Sequence, residues 1–295
     1  MTFNKITLFA VSLFSGVSMF AQSGLLNAQS ASEIGMKSLE EIVSKSDGPI
    51  AYQKVNDNDI LFEKKVWEKI PLNERANLVY YYPEQATADR KPLFDILKEA
   101  VMKKDITEVY YDDTFKSKID LNKIEDRFYR IDTSEYGIEY ANMGEKVPEE
   151  YIIKNVLTSR DVKEYRIMGT WYFDRNAGEM KYRLMGLAPV VIDINTKGKE
   201  FEQTTELFWI FFPSPEVRQT LYENYAYNER NPAQKISFDH LFNARKFNGV
   251  IYKADNIYGD VAIEDYIRDN AMEQLLEAER IKESLRNLED DLWNY

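Results

Sequence analysis

Alternating apolar and polar positions in the middle of the chain predict a β hairpin. Residues 161–174 carry apolar residues at alternate places, which is the period of a strand with one buried face. A second run of similar character begins at Met180, after a short loop that contains Gly178. A glycine-containing short loop between two such runs is typical of a hairpin. The alternating residues of the first run are Tyr165, Ile167, Trp171 and Phe173.

A second apolar run predicts a buried strand. Residues 207–212, LFWIFF, are apolar at every position. A strand that is apolar on both faces is typical of a sheet that is covered on each side. We therefore expect helices packed over both sides of the sheet. A further strand is predicted at 107–113, where β-branched and aromatic residues are concentrated.

Helical spacing of apolar residues appears in several segments. It predicts helices from Pro92 to about Lys103, after Ser214 and Pro215, and within 237–247. Ser214 and Pro215 suit a helix start, because a hydroxyl can cap the helix and proline fits the first helical position. From residue 261 onward the chain lacks proline and glycine, and a single apolar stripe predicts a long terminal helix. The stripe consists of Ala271, Leu275, Ala278, Ile281, Leu285, Leu288 and Leu292.

The segment 57–83 combines apolar anchors, a tryptophan and three consecutive tyrosines with dense charge. Its apolar residues are spaced too irregularly for one amphipathic helix. We expect a short helix, a turn at Pro71, and a second short element that ends at Pro83. The composition indicates a core and a contact surface rather than a reaction centre.

These elements together predict an α+β fold, with a mainly antiparallel central sheet flanked by helices and a long C-terminal helix. We expect a flexible leader at 22–56, because that segment is rich in serine, asparagine and glycine. One α+β domain follows at 57–295. It divides into a helical N-terminal subregion (57–150), a sheet-rich core (151–260) and the C-terminal helix (261–295).

Residues 1–21 have the features of a secretory signal peptide. Lys5 supplies the positive charge, residues 6–20 are almost all apolar or small, and Ala21 is a plausible cleavage point. No later run reaches the roughly 20 apolar residues that a membrane-spanning helix needs. We expect an exported, soluble mature chain that begins near Gln22. An uncleaved N-terminal anchor is the alternative.

Charge and cysteine content restrict the partners. The net charge is −12, and it becomes −13 without residues 1–21, whose only charged residue is Lys5. An acidic chain repels phosphates, which argues against nucleic acid and anionic lipid as main partners. It is compatible with a basic protein partner. The chain has no cysteine, so we expect no disulfide framework and no direct lipid anchor on a cysteine.

Candidate catalytic chemistry is sparse, and we expect no enzyme activity, cofactor or metal. His240 is the single histidine, so neither a histidine–cysteine metal site nor a Ser-His-Asp arrangement is supported. No glycine-rich phosphate-binding motif is present. Two alternatives to a non-enzymatic scaffold remain open. One is a secreted hydrolase that uses two of the 50 acidic residues, and the other is a periplasmic module that binds a small ligand.

Several blocks of the sequence resemble the GldN family, called PorN in oral relatives, of the Bacteroidetes. The blocks are distributed over most of the mature chain rather than confined to one short motif. They include VWEKIPLNERANLVYYYP at 66–83, KPLFDILKEAV at 91–101, RIMGTWYFD at 166–174 and LFWIFFPSPEVRQTL at 207–221.

The resemblance implies a periplasmic structural subunit of the type IX secretion and gliding-motility machinery, needed for protein secretion and gliding. It implies a large ring built with the outer-membrane lipoprotein GldK (PorK), which would hold the chain at the inner face of the outer membrane. It also implies coupling to the inner-membrane motor proteins GldM (PorM) and GldL (PorL). The absence of cysteine in this chain agrees with an anchor supplied by the lipoprotein.

A ring requires one surface patch to meet a different patch on the next subunit. Aromatic anchors inside a charged rim are a common interface pattern. We expect such anchors in the aromatic segment near residue 80 and in the distal part of the C-terminal stripe, with ordinary core packing as the alternative for each residue. The partner-interface candidates are Trp67, Tyr80, Tyr81, Tyr82, Leu285, Leu288, Leu292 and Trp293.

Overall fold

The computed structural model describes residues 48–87, 90–133, 135–144, 146, 148–227, 235–257 and 259–293. The predicted signal peptide and residues 22–47 of the predicted leader lie outside the described residues. The described residues belong to one compact unit.

In these described ranges the strands form one main sheet and two small ribbons, and all of their pairings are antiparallel. The main sheet has the order β10-β1-β4-β5-β6, and β7 also pairs with β5. β2 pairs with β3, and β8 pairs with β9. The strands are β1 (Ile60–Pro71), β2 (Tyr129–Thr133), β3 (Ile152–Val156), β4 (Val162–Asp174), β5 (Glu179–Ile192), β6 (Thr204–Glu206), β7 (Ile210–Phe211), β8 (Tyr225–Ala226), β9 (Ile236–Ser237) and β10 (Val250–Ala254).

The predicted hairpin is confirmed as β4 and β5, which pair along their whole length. The loop between them closes because the Asp174 carboxylate accepts hydrogen bonds from the backbone N–H groups of Asn176 and Ala177. Gly178 completes the turn with φ of +66°, in the left-handed region that favours glycine. Local turn chemistry therefore sets the register of the longest strands.

The segment 60–71 is a strand, so the predicted short helix before Pro71 is wrong. β1 lies between β10 and β4, and it pairs with β4 from Ile60 to Pro71. The inward-facing row of β1 contains Val66, Glu68 and Ile70. Because Glu68 is polar, the sequence does not show the alternation of apolar and polar residues that is typical of a strand. The second short element predicted in this segment is a 3-10 helix at Arg75–Tyr80.

The helices predicted from apolar spacing are present at 93–103, 215–223, 238–243 and 271–293. Ser237 begins the third of these, where its hydroxyl accepts a hydrogen bond from the N–H of His240. The predicted terminal helix is interrupted, because a short helix at 263–266 precedes the long one. The helices are α1 (Leu93–Lys103), α2 (Glu125–Phe128), α3 (Glu135–Asn142), α4 (Pro215–Glu223), α5 (Phe238–Asn243), α6 (Ile263–Tyr266) and α7 (Ala271–Trp293).

The main core lies between the sheet and the helices α1, α4 and α5. Apolar side chains of these helices pack on the sheet residues Ile70, Tyr165, Ile167 and Leu187. The buried helix residues include Leu93, Phe94, Leu97, Val101, Val217, Leu221, Phe238 and Phe242. This cluster explains why short helices with few turns are stable, since most of the stability of such helices comes from tertiary packing.

A second core cluster joins α6 and α7 to the sheet. Ala278 and Leu285 of α7 pack with Val66, Ile251 and other sheet residues. Val66 and Ile70 of β1 are four residues apart in a continuous register, so they face the same side of the sheet. Helices flank the sheet, but the prediction that they cover both of its sides is wrong, because both groups of helices lie on that one face.

The opposite face is covered by irregular chain rather than by helices in the described residues. Trp67, Met168 and Ala188 pack there against Tyr110 and Trp209. The strand predicted at 107–113 is wrong, since Tyr110 forms only isolated bridges with Lys118 and Trp209.

The run 207–212 is packed on both sides, as its sequence predicts. Phe208, Ile210 and Phe212 enter the main core, and Trp209 enters the opposite cluster. Strand pairing is restricted to β7. The α+β class, with its antiparallel sheet and long C-terminal helix, is confirmed. In the ranges described above, no helix has both the length and the apolar character required to cross a membrane.

Candidate interaction surfaces

Two of the sequence-predicted interface residues, Trp67 and Tyr80, are buried within this chain. The Trp67 ring lies 4.2 Å from Lys253 Nζ, a cation–π contact. The centroid of the Tyr80 ring lies 4.9 Å from that of Phe242, and its hydroxyl donates to the backbone carbonyl of Lys246. Burial raises the pKa of Tyr80 far above its ordinary value. Both rings pack inside this chain, which is the core-packing alternative given for each residue.

The other two tyrosines of the triplet are nearer to the surface. Tyr81 is half-buried and Tyr82 is exposed, and their rings meet edge to face at a centroid distance of 5.2 Å. Partial burial raises the pKa of Tyr81. A partner contact from this segment would therefore use Tyr82 and the outer edge of Tyr81, and that role stays a prediction.

The apolar stripe of α7 is covered unevenly. Leu285 is only 7% exposed, and Leu288 is half-buried. The side chains of Leu292 and Trp293 lie outside the described residues. The start of the helix is more open, and its exposed residues are Met272, Leu275 and Leu276. The sequence predicts partner contact toward the end of the stripe, whereas in the described part the start is the more exposed.

A cleft of about 310 Å³ lies between α7 and residues 245–251, and we call it the α7 groove. Its lining combines apolar side chains with charged ones on α7 and on the segments that face α7. The apolar lining residues are Trp171, Met180, Phe247, Ile251 and Leu285.

An ion pair between the buried Glu68 and Arg245, whose side chain is 27% exposed, also lines the α7 groove. Glu68, which is 3% exposed, accepts hydrogen bonds from Arg245 Nη2 at 2.9 Å and 3.0 Å. Arg245 has φ of +49°, which turns the chain sharply after α5. Gly249 leaves room for the glutamate, because a Cβ there would lie 2.6 Å from Glu68 Oε2. The pair therefore requires a glycine and an unusual backbone conformation close together.

Aromatic rings surround the Arg245 guanidinium. Its central carbon lies 4.0 Å from the centroid of Tyr182, 5.1 Å from that of Trp171 and 5.1 Å from that of Phe247. A cation that is partly removed from water over several rings gains cation–π energy in addition to its ion pair. Burial raises the pKa of Tyr182 far above its ordinary value, so its phenol is neutral beside the pair.

Lys282 and Arg286 form the cationic side of the α7 groove. They are one helical turn apart, so their side chains share one face of α7. The nearest acidic contact of Lys282 is Glu279 at 3.9 Å, and both side chains are exposed. Among the residues that the structure describes, the groove lining thus holds three cations and the single carboxylate of Glu68, although the whole chain has a net charge of −12. One carboxylate does not supply the pair that a glycosidase-type hydrolase requires.

Sequence reasoning did not identify the α7 groove. Glu68 and Arg245 are 177 positions apart, and Trp171 and Lys282 come from two further elements. The one local signal was the glutamate in an otherwise inward-facing row of β1. That signal becomes visible only when β1 is recognised as a strand.

The ribbon of β2 and β3 presents an apolar face to solvent. Tyr129 pairs with Val156 and Ile131 pairs with Lys154, so these four side chains share a face. Tyr129, Ile131 and Val156 are all exposed, with Ile131 at 56%. We call these three residues the ribbon patch.

The end of the predicted leader contacts the folded domain. Tyr52 lies between two guanidinium groups, 4.4 Å from that of Arg218 and 5.1 Å from that of Arg183, measured to its ring centroid. Its hydroxyl donates to Asn243 Oδ1 at 2.6 Å. Arg218 Nη1 donates to the carbonyl of Ile50 at 2.6 Å, and Arg183 Nη2 to that of Gln53 at 2.7 Å. We call residues 50–53 the N-terminal strap.

Within the part of the chain that the structure describes, no group of three or more histidine, cysteine, aspartate or glutamate side chains could hold a metal ion. His240 lies on the exposed side of α5, next to the buried Asp239. Asp239 is engaged with Arg218, through paired hydrogen bonds of 2.9 Å from Nε and Nη2. The histidine and its neighbouring aspartate thus face different environments.

An antiparallel sheet with helices on one face, an apolar cleft and an exposed apolar ribbon defines an α+β protein whose surfaces suit binding to other polypeptides. Residues 55–294 match the family model described as gliding motility associated protein GldN. This match covers most of the chain, so the chain belongs to the GldN family and is a component of the gliding-motility machinery. A search of the curated proteins finds no match.

Proposed function

We propose that this chain is a non-enzymatic structural subunit of the type IX secretion and gliding-motility machinery. It forms a periplasmic ring complex with the outer-membrane lipoprotein GldK (PorK), and it is needed for protein secretion and gliding. The lipoprotein attaches it to the inner face of the outer membrane, and GldM (PorM) with GldL (PorL) couples the ring to the inner membrane. The observation that carries this proposal is the GldN family match over residues 55–294.

The described surface supports a subunit with more than one contact. The ribbon patch and the exposed start of α7 are separate apolar surfaces on different elements. A ring that closes requires two different patches on each subunit. Exposed apolar patches on a chain with a net charge of −12 also fit an interface better than a monomer surface.

Assembly can be tested by co-expressing the chain with the lipoprotein and measuring the mass of the purified complex. We expect a large hetero-oligomer that is much heavier than a one-to-one pair. Ile131→Asp should reduce that assembly, because it introduces a charge into the ribbon patch. Ile257→Asp is the matched control, since Ile257 is 92% exposed and lies outside the patch. Recovery of only free monomer from the wild-type pair would reject the proposed ring.

A further inference from the structure

We propose that the α7 groove binds an extended segment of a partner protein that carries a large apolar side chain next to carboxylates. The inference rests on the proposed function, because it identifies the chemistry of one partner contact. It assigns a role to a cleft whose residues come from β1, β4, β5, β10, α7 and the turn after α5.

The size and lining of the groove select an apolar side chain. A volume of about 310 Å³ is at the lower end of the range for ligand pockets, which suits one or two side chains better than a large cofactor. Trp171, Phe247 and Ile251 provide an apolar floor. A side chain inserted there loses apolar surface to water, which favours binding by roughly 25 cal/mol per Å² buried.

The charges of the groove select carboxylates next to that side chain. Arg245 is already compensated by Glu68. Among the described side chains, the one ion pair made by Lys282 or Arg286 is the 3.9 Å contact of Lys282 with Glu279, in which both side chains are exposed. Two available cations beside an apolar floor are complementary to an acidic and apolar segment. The chain as a whole has a net charge of −12, so the attraction of an acidic segment to this cleft comes from the local excess of positive charge.

The shape of the groove favours an extended segment. The cleft has α7 on one side and residues 245–251 on the other, with Lys282, Leu285 and Arg286 along the helix side. A second α-helix is about 10 Å wide with its side chains, which is too wide for a cleft of this volume. An extended chain instead places one side chain in the floor and its neighbours toward the rim.

The test uses a random dodecapeptide library displayed on phage, selected against the purified full chain. We expect the recovered peptides to combine an aromatic or long aliphatic residue with aspartate or glutamate. A synthetic copy of the most frequent peptide should bind the wild type at least tenfold more tightly than the Lys282→Glu/Arg286→Glu variant. Its affinity should fall as salt is raised, because charge pairs contribute. Binding is measured by fluorescence polarisation.

The control variant is Lys116→Glu/Lys199→Glu, which makes the same change of charge at two exposed lysines outside the groove. It should bind the peptide as the wild type does within threefold. The proposal is wrong if no acidic and apolar peptides are enriched, or if both double variants weaken binding equally. The lipoprotein co-expression experiment is independent, so ring assembly without groove binding would reject only this inference. Peptide binding without a ring would reject the proposed function instead.

Discussion

Replacing Arg218 by methionine is expected to cost about 3–5 kcal/mol of folding free energy, because it leaves a buried carboxylate without its partner. Arg218 is 5% exposed, and two of its nitrogens donate to the two oxygens of Asp239 at 2.9 Å. A third nitrogen donates to the carbonyl of Ile50. The substitution therefore removes two charge-assisted hydrogen bonds and one bond to the N-terminal strap.

The double variant Arg218→Met/Asp239→Leu should be less destabilised than Arg218→Met alone. In the double variant no charge stays buried without a partner, and replacing a buried pair by apolar groups is often close to neutral. A double-mutant cycle gives the coupling between the two residues. Arg160→Met is the matched control, since Arg160 pairs with Glu84 at 3.1 Å and both side chains are more than 40% exposed. An exposed pair contributes about 1 kcal/mol or less.

The measurement is urea unfolding of the purified chain at neutral pH, followed by tryptophan fluorescence. Trypsin cleavage after Lys54 provides a second readout, because loss of the bond to Ile50 should free the N-terminal strap. A cost below about 1 kcal/mol for Arg218→Met would refute the reasoning, since it would place the pair in the range of surface pairs. An additive cycle would refute it too.

Three further predictions concern the core. Leu285→Asp should lower the free energy of unfolding by more than about 3 kcal/mol, because it buries a charge among the residues that pack α7 on the sheet. Leu275 is 47% exposed, so Leu275→Asp is the control and should change that free energy by less than about 0.5 kcal/mol in the same urea assay. Gly169→Ala should lower the thermal midpoint by several degrees, because its Cβ would lie 2.1 Å from the hydroxyl oxygen of Tyr182; an unchanged midpoint would show that the ring moves freely. Burial, opposed in part by Arg218, raises the pKa of Tyr52 from 10.0 to about 12. The stability that depends on a neutral Tyr52 phenol should be fully present below pH 10 and lost as the pH rises to about 12. The free energy of unfolding should fall by up to about 1.4 kcal/mol per pH unit in that range. Tyr52→Phe should flatten that decline, and an identical decline in both proteins would contradict the assignment.

The prediction for Leu285 changes how the C-terminal stripe can be examined. A charge at Leu285 perturbs the packing of α7 on the sheet, so loss of a partner after that substitution would not locate an interface. Leu276 and Met272 are exposed on the same helix. Substitutions there test partner contact without disturbing the core.

Local patterns were sufficient for the hairpin, for α1, α4 and α5, and for the long C-terminal helix. In each case the apolar period and the turn or cap residues lie within a few positions of one another. Ser237 and Gly178 are examples, since each acts on its own turn. The distributed sequence blocks also identified the GldN family, which the family match confirms. Compartment, partners and ring assembly stay predictions.

Local patterns failed where the environment of a residue is made by distant chain. β1 was predicted as helix because Glu68 interrupts its inward-facing row, and that glutamate is tolerated only because Arg245 comes from 177 positions away. Tyr80 looked like a surface anchor, yet α5 covers it through Phe242.

The amino-acid sequence by itself determined the antiparallel hairpin, the helical segments and the family, because hydrophobic period and turn chemistry are local and distributed sequence blocks carry the family resemblance. Only the tertiary structure decided which aromatic residues are core, which face of α7 is covered, and that a cleft with an excess of positive charge exists on an acidic chain. Burial and local charge depend on which surfaces meet in space, and no window of neighbouring residues contains that information.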